Sequence, residues 1–232
     1  MILIIKHAVS EGPGLLLDFF RNHQIKTQII ELEKGERLPL SLKGIDAIVS
    51  MGGPMNAYDE KEYPFLKFEN MLFKKAFENK VPVLGICLGA QLMSKALGGS
   101  IKKAKEKEIG WEKIELNCNG IIDPIFQGID SVIDVFQYHE DEFSVPENAS
   151  LLAINRVCPQ AFRFGRNSYA FQFHIEVTPK MIELWMDDCV FKVDKLKVIS
   201  TTYERKEKFE NQMLKILSNY LKIINTYERV VA

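Results

Sequence analysis

The chain has 232 residues, 47% hydrophobic and 26% charged, with a formal net charge of −1 at pH 7. That length and balance suit one α/β domain with a substantial core. The near-zero charge excludes a global electrostatic attraction to nucleic acid or to an anionic membrane, and no apolar run reaches the length of a membrane span.

Ile2 to Ile5 reads as a first buried strand; it is too short for a signal segment and no basic stretch precedes it. His7 follows at the strand end and is expected as a surface or capping residue, with no role assigned. Gly12-Pro13-Gly14 is a turn, Leu15 to Asn22 a helix, Thr27 to Glu31 a second strand and Ile45 to Ser50 a third, with Leu38-Pro39-Leu40 in a loop between them. This β-α-β rhythm predicts a mainly parallel sheet flanked by helices. Met51-Gly52-Gly53-Pro54-Met55 then makes a tight turn at the carboxyl end of a strand, where ligands bind in open α/β sheets. An acidic loop, Tyr58 to Tyr63, ends at Pro64. Phe65 to Asn79 is an amphipathic helix expected to bury Phe65, Phe68, Met71, Leu72 and Phe77.

The next stretch organises the chain. Val81 to Ile86 is an apolar run of strand length; it bends through Gly85 to Gly89 and continues as a helix through Leu92, Met93, Ala96 and Leu97 to Gly98-Gly99. A strand that turns sharply into a helix around one nucleophilic side chain is a nucleophile elbow, here with Cys87 at its centre. An isolated cysteine after a buried strand is ordinarily a small core hydrophobe. The flanking glycines and the helix start favour a nucleophile instead. A helix N-terminus lowers a thiol pKa from about 8.5, so a thiolate is expected here, with the Leu88 N–H placed to receive negative charge from an attacked carbonyl.

Beyond Gly99 the pattern shifts to short strands around Ile101, Ile109 to Trp111, Ile114 to Leu116, Ser131 to Tyr138, Leu151 to Asn155, Ala161 to Phe164 and Tyr169 to Phe173, with one helical turn at Asp123 to Gln127. This half reads as the antiparallel part of a mixed sheet. Lys102, Lys103, Lys105 and Lys107 alternate with acidic residues and read as a solvated face. Lys180 to Val190 is helical. A last helix over about 203–227 carries Phe209, Met213, Ile216, Leu217, Tyr220, Leu221 and Ile224 at three-and-four spacing and is expected to pack on the same domain, 1–232.

A thiol nucleophile needs a base, and the base needs an orienting group. Of the four histidines, His174 ends the alternating run Tyr169 to Phe173, and Glu176 lies two residues on, on the same side of an extended segment. A His-x-Glu pair alone is commonly a surface hydrogen bond. Behind a cysteine elbow it completes nucleophile, base and orienter as Cys87, His174 and Glu176. The four cysteines form no C-x-x-C pair, which excludes the common zinc and thioredoxin spacings and suits a reducing, cytoplasmic setting.

Gly85-Ile86-Cys87-Leu88-Gly89-Ala90-Gln91, preceded by Met51-Gly52-Gly53-Pro54 and followed by Gln172-Phe173-His174-Ile175-Glu176, resembles the class I, or triad-type, glutamine amidotransferases. Tyr58 to Leu66, Glu108 to Trp111 and Phe136 to His139 resemble the stand-alone, GMP-synthase-like branch, some of whose members act on γ-glutamyl compounds. The resemblance implies a flavodoxin-like, single-domain mixed α/β fold. It implies that Cys87 attacks the glutamine amide, that His174 moves the proton and that Glu176 holds the imidazole. Gly53 and Leu88 would supply the oxyanion hole, while Gln91, Tyr138 and His139 would hold the substrate. Two residues depart from the pattern: Ile175 replaces a common Pro, and Glu140 replaces a common Gly near the substrate's charged end.

No metal or other cofactor is expected. No phosphate loop of the G-x-x-x-x-G-K-[ST] type accompanies the site, so ammonia would pass to a separate synthetase partner or be released. Hydrolysis of a γ-glutamyl peptide or conjugate by the same triad is an alternative. A non-catalytic ligand-binding or regulatory subunit is another, disfavoured by the intact triad and Gln91.

Overall fold

The computed structural model describes the backbone of residues 1–231 and the side chains through Asn225. Strands β1 (Ile2–Lys6), β2 (Thr27–Glu31), β3 (Ala47–Ser50) and β4 (Val83–Ile86) alternate with helices α1 (Gly14–Asn22) and α2 (Phe65–Glu78), and α3 (Leu88–Ala96) follows β4. The second half contributes β5 (Ile101–Leu116), α4 (Cys118–Ile122), β6 (Val132–Phe143), β7 (Ala149–Ile154), β8 (Pro159–Phe164), β9 (Ser168–Phe171), α5 (Pro179–Asp188) and α6 (Lys195–Val231). Among the described residues these strands form one nine-stranded sheet in the order β2-β1-β3-β4-β9-β8-β7-β5-β6. Pairing is parallel from β2 to β9 and antiparallel from β9 to β6.

Alternation along the parallel strands feeds two cores. Ile2 and Ile4 of β1 and Ala47 and Val49 of β3 pack with α1, α5 and α6 on one face. Leu3, Ile5 and Ile48 pack with α2 and α3 on the other. Strands covered on both faces carry apolar residues at successive positions, as β1 does from Ile2 to Ile5 and β3 from Ala47 to Val49. No helix among the described residues is long and apolar enough to cross a membrane.

The structure changes three expectations. On α2 the buried positions are Leu66, Glu69, Leu72, Phe73 and Ala76, whereas Phe68 and Met71 are each 58% exposed. The short strands expected between Ile101 and Leu116 are one strand, because β6 pairs with it from Ile101 to Lys103 and again from Glu108 to Glu115, with an irregularity at the charged stretch between. The last helix begins at Lys195 rather than near 203. Its first turns are polar in sequence, but Thr202 accepts from Trp111 Nε1 at 2.9 Å and Val198 packs on the sheet, so tertiary contacts extend the helix. Its predicted apolar face, Phe209 to Ile224, is buried. Side chains beyond Asn225, Tyr227 included, lie outside the described residues.

Where β4 bends into α3, backbones approach closely. A Cβ on Gly85 would lie 2.6 Å from the Gly89 carbonyl oxygen, and one on Gly89 would lie 2.4 Å from the Ser50 carbonyl oxygen. The glycines are therefore required by the packing of β3, β4 and α3 on one another. Gly89→Ala should destabilise the fold by roughly 1–3 kcal/mol, the usual range for overpacking. Denaturant unfolding measures it; an unchanged midpoint would contradict this close approach.

Candidate active site

Strands β4 and β9 lie side by side and parallel, with Ile86 opposite Phe171. Cys87 is the next residue after β4, and the segment past β9 runs on to His174 and Glu176. Both therefore emerge at the same carboxyl edge of the sheet, next to the loop after β3 that carries Gly52 and Gly53. Two segments remote in sequence meet because their strands pair.

Cys87 sits at φ 49°, ψ −104°, the left-handed side that L residues avoid. Such a conformation costs on the order of 1–3 kcal/mol and persists only where surroundings enforce it. Here the Cys87 N–H donates to the Phe171 carbonyl at 2.8 Å, and the Cys87 carbonyl accepts from the Gln91 N–H at 3.1 Å. Gln172 Nε2 donates to Sγ at 3.8 Å, and the thiol reaches the Tyr138 carbonyl at 3.9 Å. Burial pushes the Cys87 thiol up, against the opposite pull of His174. The helix terminus expected to favour a thiolate is present, but Cys87 is only 6% exposed and burial acts in the opposite direction.

His174 is fully enclosed. Its N–H donates to the Phe136 carbonyl at 3.0 Å, its ring stands edge-on to Trp185 at 4.8 Å, and Nδ1 pairs with Glu176 Oε1 at 2.7 Å. Trp185 is itself anchored through Nε1 to the Ser10 carbonyl at 2.9 Å. Burial opposes charge on the ring, but Glu176 and then Cys87 outweigh it, so His174 is held well above the usual imidazole range. Nε2 is buried with no hydrogen bond inside the protein. Since Nδ1 is committed to Glu176, Nε2 is the nitrogen left for proton exchange.

His7, expected as a surface residue, is 1% exposed. Nδ1 donates to the Gly52 carbonyl at 3.0 Å and Nε2 meets Glu69 Oε2 at 2.7 Å, while the Ser50 hydroxyl donates to Glu69 Oε1 at 2.7 Å. A ring that donates from both nitrogens is an imidazolium. Glu69 overcomes the burial that would discharge it. The consequence falls on the next peptide group. In a trans peptide the C=O of Gly52 and the N–H of Gly53 point opposite ways, so fixing the carbonyl turns the Gly53 N–H away from His7. No backbone acceptor takes that N–H among the described residues.

Cys87, Gly53 and Leu88 line a pocket of about 240 Å³ together with Glu11, Gln91, Tyr138, His139 and Glu140. Gln91 Nε2 is engaged by the Asp141 carbonyl at 3.2 Å and Gln172 at 3.4 Å. Tyr138 leans on Trp185 and Phe191. His139 donates from Nδ1 to the Asp141 carbonyl at 3.0 Å, and its Nε2 faces Glu108 at 3.3 Å. All eight residues singled out in the sequence thus gather at or beside one pocket. Glu108, His139 and Cys158 place their donor atoms within 4.8 Å of one another. Burial and then Glu108 push the Cys158 thiol far up, so it remains a thiol that donates to Glu108 at 3.6 Å, in a hydrogen-bonded cluster completed by Gln160.

Three buried residues of the site escaped the sequence reading: His7, Glu69 and Glu11. Glu69 could have been found, because a lone carboxylate falls between Leu66 and Phe73 on the apolar stripe of α2. Glu11 lies in the loop after β1, another carboxyl end of the sheet. Burial pushes its carboxyl up to about 7, against His174 and His7 and with help from Glu176. Oε2 is enclosed without a hydrogen bond.

A parallel sheet edge carrying a cysteine elbow and a His–Glu pair defines a class of cysteine-centred amidotransferase folds. The chain belongs to the family "Glutamine amidotransferase class-I", whose profile matches residues 14–192. It is 31% identical to the glutamine amidotransferase-like protein YfeJ of Salmonella typhimurium over 183 residues, 77% of each chain. It is 37% identical over 133 residues to a GMP synthase [glutamine-hydrolyzing] of Lactobacillus delbrueckii subsp. bulgaricus, a match spanning 56% of this chain and 24% of that protein. The glutamine amidotransferase structure from Thermotoga maritima superposes with a TM-score of 0.86 at 30% identity, covering 94% of this chain and 96% of the other. That from Methylobacillus flagellatus gives 0.87 at 25% identity, covering 95% and 94%.

Two outcomes follow from the buried charges. Alkylation of Cys87 by iodoacetamide, followed by peptide mass spectrometry, should accelerate with pH and inflect above about 8.5, the free-thiol value; an inflection below neutrality would mean that burial does not dominate. His174→Ala should move the inflection higher, since the imidazolium is what lowers it. Glu11 has a folded pKa above its unfolded one, so only the fold keeps the proton between 4.5 and about 7. Stability therefore falls as pH rises through that window, and the full penalty of up to about 3 kcal/mol is present above it. Glu11→Gln should raise the melting temperature more at pH 8 than at pH 5; an equal effect at both would contradict the assignment.

Proposed function

We propose that the protein cleaves the side-chain amide of glutamine through a γ-glutamyl thioester on Cys87. The observation that carries this reading is the His174–Glu176 pair, buried and oriented, with its free Nε2 beside the thiol at the bend of β4 into α3. Cys87 and His174 Nε2 share one proton; with it on the ring, Sγ attacks the amide carbon, and the imidazolium then delivers it to the departing nitrogen. The N–H groups of Gly53 and Leu88 stabilise the oxyanion, the first held in place by His7 and Glu69. Water activated by the same imidazole then releases glutamate. Gln91, through its uncommitted Oε1, and the loop at Tyr138 and His139 hold the glutamyl end.

The whole chain acts as one amidotransferase domain in the cytoplasm, and ammonia passes to a separate synthetase or into solution. The similarity to GMP synthases, which covers about a quarter of their length, supports a detached glutaminase unit. Purified protein should release equimolar ammonia and glutamate from glutamine, and Cys87→Ala should lower the rate at least 10³-fold. Equal rates in the two proteins would refute the thioester mechanism, and no release by wild type would favour a binding subunit. Glu69→Gln, which keeps the side-chain volume but weakens the hold on His7 and Gly52, should lower kcat roughly tenfold with KM within about twofold, because the oxyanion hole acts in the transition state. A KM effect alone would remove Gly53 from that role.

A further inference from the structure

The pocket wall carries carboxylates but no lysine or arginine among its lining residues. Two of the acids are already neutralised from β5: Lys107 Nζ lies 2.8 Å from Glu140, and Lys103 Nζ lies 2.8 Å from Asp141. The third is Glu11, whose carboxyl has no lysine or arginine partner and no hydrogen bond among the described residues; the charged groups that face it are His174, His7 and Glu176. It is nine-tenths buried, yet it lines the pocket. Its place in the pocket is fixed by Gly52: a Cβ there would fall 2.0 Å from Glu11 Oε2 and 3.2 Å from His174 Cε1. Glu11 therefore stands beside the imidazole, the group that hands a proton to the leaving nitrogen. The residues that would hold the glutamyl end, Gln91 and His139, come from α3 and β6 instead.

An unpaired carboxyl in such a place is costly to keep unless something binds it. A donor that arrives with the substrate is the missing partner. We propose that Glu11 binds a positively charged group on the leaving-amine side of the scissile bond, so that γ-glutamyl amides of cationic amines are preferred over those of neutral amines of the same length. This deepens the amide-cleavage reading above and rests on it. The chemistry is unchanged. Sγ bonds to the γ-carbon, the C–N bond breaks, the thiol proton goes through His174 to the departing nitrogen, and water later cleaves the thioester. The distal ammonium stays charged throughout and contacts only Glu11. Glycine at position 52 is then required, because any side chain there would occupy the space of the Glu11 carboxyl.

The test compares three compounds on wild type and on Glu11→Gln: glutamine, the γ-glutamyl monoamide of a short diamine, and the γ-glutamyl amide of the alkylamine of equal length. Wild type should favour the diamine conjugate over the alkyl one by at least tenfold in kcat/KM. Glu11→Gln should bring that ratio to within about twofold, through a larger loss on the diamine conjugate than on the alkyl one. A ratio near one in wild type overturns the proposal, as does a ratio that survives in Glu11→Gln. So does an equal loss on all three compounds, which would place Glu11 at the shared glutamyl end. Cleavage of glutamine alone leaves the amidase reading standing and removes this one; cleavage of none of the three removes both.

Discussion

The pairing of β4 with β9 is the constraint on which the site depends. The two strands come from opposite ends of the central region of the chain, and their parallel register, Ile86 against Phe171, sets how far each continues past the sheet edge. One residue further places the thiol; three further places the imidazole. The same ladder continues into the elbow, because the Cys87 N–H donates to the Phe171 carbonyl. That bond helps hold Cys87 at its positive φ, and so the strand that brings the base also fixes the conformation of the nucleophile.

Charge is unusually concentrated behind this edge. His7, Glu11, His174 and Glu176 are buried within a few residues of strand ends, and Glu69 is buried on α2. Buried charges persist where they are paired and hydrogen-bonded, and two pairs meet that condition, His7 with Glu69 and His174 with Glu176. Each pair controls one half of the chemistry. The first fixes a peptide plane in the loop after β3, and the second fixes a ring. Glu11 meets no such condition, and its carboxyl accordingly rises toward neutrality.

Much of this was legible in the sequence because it is written in local patterns. The elbow is a strand, a bend between glycines and a helix start, all contiguous; His174 and Glu176 share one extended segment. The strands of the first half were readable from apolar runs between turns, and their boundaries agree closely. What was hidden depends on partners distant in the chain. The burial that pushes the Cys87 thiol up is something spacing does not report. His7 looked like a surface residue because Glu69, its partner, is on α2, where an acidic residue on the apolar stripe passed unremarked. Phe68 and Met71 were expected inside because the stripe was drawn through the aromatic residues, whereas Glu69 and Ala76 mark its true centre. The first turns of α6 are held by a distant partner, Trp111 of β5, whose Nε1 donates to Thr202 on the helix.

The rim of the pocket shows why one carboxyl differs from its neighbours. The β5–β6 pair sets Lys102 opposite Glu142 and Lys103 opposite Asp141, and Lys107, in the irregular stretch, forms an ion pair with Glu140. Cross-strand pairing of this kind stabilises a solvated ribbon and also cancels the acids that reach the pocket. The departure at Glu140 is thus compensated within the hairpin, and Lys107 further lies 4.1 Å over the Phe191 ring. Glu11 enters from the opposite wall, on the loop between β1 and α1, where the ladder of lysines does not extend. Its burial follows from the turn at Gly12 to Gly14, which presses the loop against the segment holding Glu176, with the Leu15 N–H on the Glu176 carbonyl at 2.8 Å. The backbone contact that steadies the orienting residue therefore also holds Glu11 at the site.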